Sequence, residues 1–142
     1  MNYLLDTCVI SELVSRRAND NVIGWIRNTP EDRCFLSVIT IGEIKKGIEK
    51  LADTQRKAQL NAWLNDELLV RFKGRLIPLD VDVLLTWGAL TAHLESIGRR
   101  MPAIDSLIAA SAIHADLTLV TRNTSDFAGT AVTLFNPWQR AG

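Results

Sequence analysis

No apolar run in this 142-residue chain approaches the ~20 residues that cross a bilayer, so a membrane-spanning helix is not expected. Cysteine is scarce as well. Cys8 and Cys34 are the only two, both in apolar surroundings, and they fit neither a CxxC motif nor a Cys/His ligand spacing. Two buried free thiols are expected rather than a thiolate metal site. Net charge is also missing, because sixteen basic and sixteen acidic residues cancel, and the overall field does not advertise a polyanionic partner. The amino terminus has no basic region, apolar stretch and cleavage site of a secretory signal, which predicts a cytoplasmic protein. Internal repeats, low-complexity tracts and linkers are absent, and the length fits one domain over residues 1–142.

What is present is an ordinary globular composition, 47% hydrophobic and 23% charged, in which strand-like runs alternate with helical spacings. Met1 to Leu5 reads as a short buried strand, followed by Val9, Ile10, Leu13 and Val14 at helical spacing. Asn19-Asp20-Asn21 is placed to cap a helix through Trp25 and Ile26 that ends before Pro30. Arg33 to Ser37 is the second strand, and Ile41, Ile44, Ile48 and Leu51 mark the buried stripe of the helix after it, with Thr40, Glu43 and Gly47 alongside.

A long helix is predicted from about Thr54 to Phe72, then a strand from Arg75 to Leu79. Val83 to Ile97 forms a further helix stopped by Gly98, and Pro102 starts another whose inner stripe is Ile104, Leu107, Ile108 and Ala112. Leu117 to Thr121 and Ala131 to Phe135 are the last strands; Gln139 to Gly142 is a ragged end. Such alternation predicts an α/β fold, three-layer α/β/α, around a mainly parallel sheet of about five strands.

Four acids stand beside apolar segments far apart in the chain: Asp6 after Tyr3-Leu4-Leu5, Glu43 after Phe35 to Ile39, Asp105 in the first turn of its helix, and Asp126 after Leu117 to Val120. Strand carboxyl ends of a parallel sheet converge on one edge, where these acids meet if the fold is right. Two carboxylates ~4 Å apart repel by roughly 4 kcal/mol at an effective dielectric near 20, so such a cluster takes up protons or binds a cation. Each acid also has a plain structural role open to it. Asp6 fits an N-cap, Glu43 a surface pair with Lys46 or Lys50, Asp105 a helix-dipole partner and Asp126 a turn residue. Acids gathered into one pocket leave the remaining surface net basic, with Arg16/Arg17, Lys45/Lys46, Lys50, Lys73/Arg75 and Arg99/Arg100 as candidates for that surface. His93 and His114 read as helix-surface or core residues, and Trp25, Trp63, Trp87 and Trp138 as core.

Four segments together resemble the signature segments of PIN-domain ribonucleases. They are Leu4-Leu5-Asp6-Thr7-x-Val9-Ile10-Ser11-Glu12, Ser37-Val38-Ile39-Thr40-Ile41-Gly42-Glu43-Ile44 with Gly47, Asp105-x-Leu107-Ile108-Ala109-Ala110, and Leu117-Thr118-Leu119-Val120-Thr121-Arg122-Asn123-x-x-Asp126-Phe127. The likeness is strongest to the toxins of VapBC-type toxin–antitoxin modules and FitB-like proteins, which share the closing Asn136-Pro137-Trp138. It implies an endoribonuclease whose carboxylates hold Mg²⁺ or Mn²⁺, and an all-oxygen donor set agrees with those ions rather than zinc. Such an ion lowers the pKa of a bound water and steadies charge on the leaving oxygen.

By the same resemblance Asp6 and Asp105 are the principal metal ligands, while Glu43 acts through the ion or its waters. Asp126 takes the fourth acidic role beside the neutral Asn123. Thr7 and Thr40 are supporting hydrogen-bonding groups, and Arg122 meets the RNA backbone. Two departures stand out: Cys8 occupies a position usually held by Asn, and Asn123 is neutral where the family's fourth acid can fall. The resemblance further implies an RNA substrate, a homodimer, and a DNA-binding VapB-type antitoxin assembling with it on operator DNA. A non-catalytic module that uses the acidic pocket to bind a partner or metal is the alternative. A receiver-like signalling domain requires a lysine at the end of a late strand, where this chain has Thr121-Arg122.

Overall fold

The computed structural model describes residues 1–139. Leu4 and Leu5, successive residues of β1 (Tyr3–Leu5), point to opposite faces of the sheet and are both buried, which is why the strand reads as a continuous apolar run. Around it the sheet has the order β3-β2-β1-β4-β5, with β2 Cys34–Ser37, β3 Leu76–Ile77, β4 Thr118–Val120 and β5 Leu134–Phe135. Every pairing is parallel, so the mainly parallel sheet expected from sequence is parallel throughout the described residues.

The helices are α1 (Thr7–Leu13), α2 (Asp20–Asn28), α3 (Val38–Glu49), α4 (Thr54–Trp63), α5 (Leu69–Arg71), α6 (Val81–Ser96) and α7 (Ala103–His114). One core, holding Leu4, Leu94, Ile108, Ala109, Ala110, Leu119 and Phe127, lies under α6 and α7. The other, holding Leu5, Val9, Ile10, Val22, Leu36, Ile44, Leu64, Leu68 and Val120, lies under α1 to α5. Each fully buried leucine in these layers contributes about 1.5–3 kcal/mol, and together they fix the sheet between two helical layers. Among the described residues no helix is long and apolar enough to cross a membrane. The expected ragged end lies, beyond Gln139, outside the described residues.

The chain builds β1, β2 and β3 outward on one side, then crosses back to add β4 and β5 on the other. The order therefore reverses between β1 and β4, which opens a crevice at their carboxyl ends. Asp6 and Thr121 follow those two strands directly, and the Leu5–Val120 register sets them side by side.

Several sequence expectations are corrected. The strands are shorter than read: β1 begins at Tyr3, β3 covers only Leu76–Ile77 and β5 only Leu134–Phe135. The long helix is interrupted by a π-helical turn at Leu64–Leu68 between α4 and α5. Residues four apart drift about 40° around an ordinary α-helix at each step, and the wide turn offsets that drift, keeping Leu64, Leu68 and Phe72 all buried.

On α7, Ile104 is 42% exposed instead of lining the inner stripe, while Ser106 and Ser111 are buried. Their hydroxyls donate to the carbonyls of Ala103 and Leu107, which removes the penalty for burying them. On α3 the buried stripe is Ile39, Ile44 and Ile48, with Ile41 half-buried and Leu51 exposed just past the helix end. Cys34 is a buried free thiol as expected, whereas Cys8 is free but only half-buried.

Candidate active site

Asp6 is 7% exposed and sits where β1 turns into α1. Its Oδ1 accepts from the backbone N–H of Thr7 at 2.8 Å, and its Oδ2 accepts from the Thr121 hydroxyl at 2.8 Å. It thus caps α1 and at the same time presents a fixed carboxylate at the switch-point crevice. Burial drives its pKa above the usual carboxylate value, and the Glu43 charge adds to the rise, against the lowering effect of the Thr121 and Thr7 hydrogen bonds.

Thr7 joins Asp6 to Glu43. Its hydroxyl donates to Glu43 Oε1 at 2.6 Å and lies 3.2 Å from the hydroxyl of buried Thr40. Glu43 is carried there by α3, which starts without a loop because Ser37 ends β2 and caps the helix, accepting from the N–H of Ile39. The surface pair with Lys46 or Lys50 does not form: Glu43 turns inward to Thr7.

Asp105 lies in the first turn of α7, half-buried. Desolvation raises its pKa most, followed by the charges of Asp6, Asp126 and Glu43. The charges of the other three sequence-predicted acids thus all reach Asp105, and that of Glu43 also reaches Asp6. Among the described residues neither Asp6 nor Asp105 is in an ion pair with a lysine or arginine. Among the described residues no three His, Cys, Asp or Glu side chains form a ready-made metal cage. The chemistry of the donor set nonetheless fits a hard divalent ion. The donors are carboxylate and hydroxyl oxygens, and the one nearby sulfur, Cys8 Sγ, lies 3.9 Å from Asp6 Oδ2 with burial pushing its pKa up, which keeps the thiol protonated and a poor ligand.

The fourth acid is more loosely held. Asp126 is exposed in a 3₁₀ turn at Thr124–Phe127, and its carbonyl accepts from Arg99. Asn123 precedes that turn, and its backbone N–H donates to the Thr121 hydroxyl at 3.1 Å. Arg122 is exposed with its guanidinium 5.6 Å from the ring centre of Trp138, and its carbonyl faces the Asn136 side chain. The closing Asn136-Pro137-Trp138 segment thus braces Arg122.

Sequence reasoning missed Thr121. It is fully buried, holds Asp6 through its hydroxyl and ties the Asn123 loop to the same oxygen. A hydroxyl residue directly after an apolar strand is the signal for it, but only the β1–β4 register reveals that it faces Asp6.

A model of the PIN domain matches residues 3–132. Toxin FitB of Neisseria gonorrhoeae is 34% identical over 135 residues, covering 95% of this chain and 97% of the relative. VapC ribonuclease Y4jK of Sinorhizobium fredii is 31% identical over 138 residues, covering 97% and 99%. The solved structure of FitAB bound to an IR36 DNA fragment superimposes with a TM-score of 0.93 at 31% identity, covering 99% of this chain and 98% of that chain.

Proposed function

The chain belongs to the PIN-domain family, and from that premise we propose that it is a metal-dependent endoribonuclease, the toxin of a type II toxin–antitoxin pair, which hydrolyses phosphodiester bonds in cellular RNA. One observation carries the reading: Asp6 and Glu43 are fixed by hydroxyl and amide donors at the switch-point crevice, where their charges reach Asp105 and neither is in an ion pair among the described residues. Asp6 and Asp105 would hold a Mg²⁺ or Mn²⁺ ion, Glu43 would contribute through the ion or its waters, and Asp126 would be the fourth acid with Asn123 as neutral support. A bound ion supplies positive charge at the phosphorus and acidifies water.

The chain's own groups set the geometry. Thr121 and the Thr7 N–H each occupy one oxygen of Asp6, which fixes the plane of its carboxylate. Thr7, its hydroxyl beside that of Thr40, holds Glu43 in position to accept a proton from the attacking water. Arg122, steadied on Trp138, meets a backbone phosphate.

Exposed apolar side chains on the early turns of two helices, Val81, Leu84 and Leu85 on α6 and Val38 on α3, support a homodimer. The likeness to FitAB bound to DNA supports an antitoxin partner whose DNA-binding half carries the complex to operator DNA. The protein is placed in the cytoplasm by the same reading.

Incubating the purified chain with total RNA and Mg²⁺ or Mn²⁺ tests the activity. Cleavage is expected with either ion and is lost in EDTA and in folded Asp6→Asn protein. Cleavage that persists in folded Asp6→Asn overturns the metal site, and a wild-type chain that cuts no RNA but binds metal or a partner favours the non-catalytic module.

A further inference from the structure

The structure sorts the basic residues that sequence left equivalent. Lys45 pairs with Glu49 at 2.8 Å and donates to Asn61, and Lys57 also meets Glu49. Arg75 is spent on Glu31 and on the carbonyls of Cys34 and Arg71, and Arg99 on the carbonyls of Ser125 and Asp126. Lys46 and Lys50, like Arg16, Arg17, Lys73 and Arg100, are exposed and make no ion pair or side-chain hydrogen bond among the described residues, and what sets these two apart is their place beside Glu43. They line a groove of about 560 Å³ together with Glu43, Ile39, Gly42, Gly47 and Ile104.

That groove begins at the candidate active site. Glu43, Lys46 and Lys50 stand three and then four residues apart along α3, on one face, so the lysines step away from the acid by about 4.5 and then 6 Å of helix rise. Ile104, on the other wall, is the neighbour of Asp105. A Cβ added at Gly42 or Gly47 meets nothing within 4 Å, so neither glycine is filled from within this chain and the floor is open. An apolar floor and wall with a cationic rim suits a nucleotide strand, with bases against the isoleucines and phosphates on the ammonium groups. The acids make this rim necessary: a polyanion is repelled by the carboxylate cluster unless cations beside it offset the field.

The geometry points to this groove as the path of single-stranded RNA leaving the scissile phosphate, with Lys46 and Lys50 binding successive phosphates. This assignment rests on the nuclease reading and adds to it the direction of the substrate along α3. Lysines near a helix carboxyl end also complement the helix dipole, and that role predicts a change in stability and none in RNA binding.

The test compares the full chain with the Lys46→Gln/Lys50→Gln double variant. It measures affinity for a fluorescent 12-nucleotide RNA of randomised sequence and for a 4-nucleotide one, in EDTA and again with Ca²⁺. The double variant is expected to bind the 12-mer about 10-fold more weakly at low salt, with the salt slope reduced by about 1.4, because each single-strand phosphate contact carries ~0.7. The loss on the 4-mer is smaller, and Lys46→Arg/Lys50→Arg restores binding. Unchanged affinity and slope overturn the path, as does a wild-type chain that binds neither RNA under either condition. A variant that instead changes the mass of the oligomer marks the groove as a protein interface and also overturns it. A double variant that loses RNA while the wild type cuts none keeps the groove as an RNA-binding surface and removes the nuclease reading; one that binds and cuts like the wild type keeps the nuclease reading and overturns the path.

Discussion

The two sides of the acidic crevice are built differently. On the β1–α3 side, Asp6, Thr7, Thr40, Glu43 and Thr121 form a continuous set of hydrogen bonds, with Asp6, Thr40 and Thr121 all buried. On the α7 and β4-loop side, the side chains of Asp105, Asn123 and Asp126 make no hydrogen bond among the described residues, and Asn123 and Asp126 are exposed. One side is arranged before anything binds, and the other has open carboxylates that need a partner. A divalent ion held by acids of both sides would offset their repulsion, and the hydrogen-bonded Asp6 would be its fixed ligand.

The comparison is broken most severely at Asp6. In Asp6→Asn protein that circular dichroism shows to be folded, RNA cleavage is expected to fall by roughly 10³-fold or more, the scale on which removal of a key charged group acts. The next largest effect falls on Thr121, which touches neither ion nor substrate in this account. Thr121→Val is expected to lower Mn²⁺ affinity and cleavage by about 10–100-fold, and Thr121→Ser to restore both, since only the hydroxyl matters. If Ser fails where the fold survives, Thr121 acts through packing alone.

The open side is sharpened by two substitutions compared directly. Asp126→Asn is expected to cost about 10-fold in cleavage and Asn123→Ala less, because Asp126 carries charge into the Asp105 field and Asn123 does not. Loss confined to Asn123→Ala shows that the fourth role belongs to that position.

The smallest effect is thermal. The pKa values of Asp6 and Asp105 are raised above the ordinary value of 3.8, so the folded chain holds these protons more tightly than the unfolded one. Their contribution to stability is full below the unfolded value and is lost as pH rises through the raised ones, leaving a net cost at neutral pH. Differential scanning calorimetry on metal-free protein is expected to show Asp105→Asn melting above wild type at pH 7 and level with it near pH 3. Mn²⁺ has the opposite dependence, because it favours the ionised form. At about 100 times its Kd it adds roughly 2.7 kcal/mol, or about 5–10 °C, at pH 7, and this gain fades in acid.

The sheet and its helices were legible in the sequence because apolar runs bounded by caps and glycines leave few arrangements, and Asp6 was legible because an acid after a buried strand has one place to go. Thr121 was not, since its meaning depends on which strands are neighbours, and the return from β3 to β4 across the sheet is a long-range choice. Ile104 was misread as core because hydropathy ranks it above Ser106, yet a serine bonded to its own helix is buried at little cost. Lys45 and Lys46 are indistinguishable as sequence; the step of about 100° between neighbours on α3 sends the first to Glu49 and the second to the groove.

Isothermal titration of Mn²⁺ into metal-free wild-type, Asp6→Asn and Asp105→Asn proteins, all folded, tests the claim that the two sides share a divalent ion. Saturable binding by the wild type, weakened at least about 10-fold by either substitution, is the result this account predicts. A wild-type chain that binds no Mn²⁺, or an Asp6→Asn chain that binds it as tightly as wild type, contradicts it.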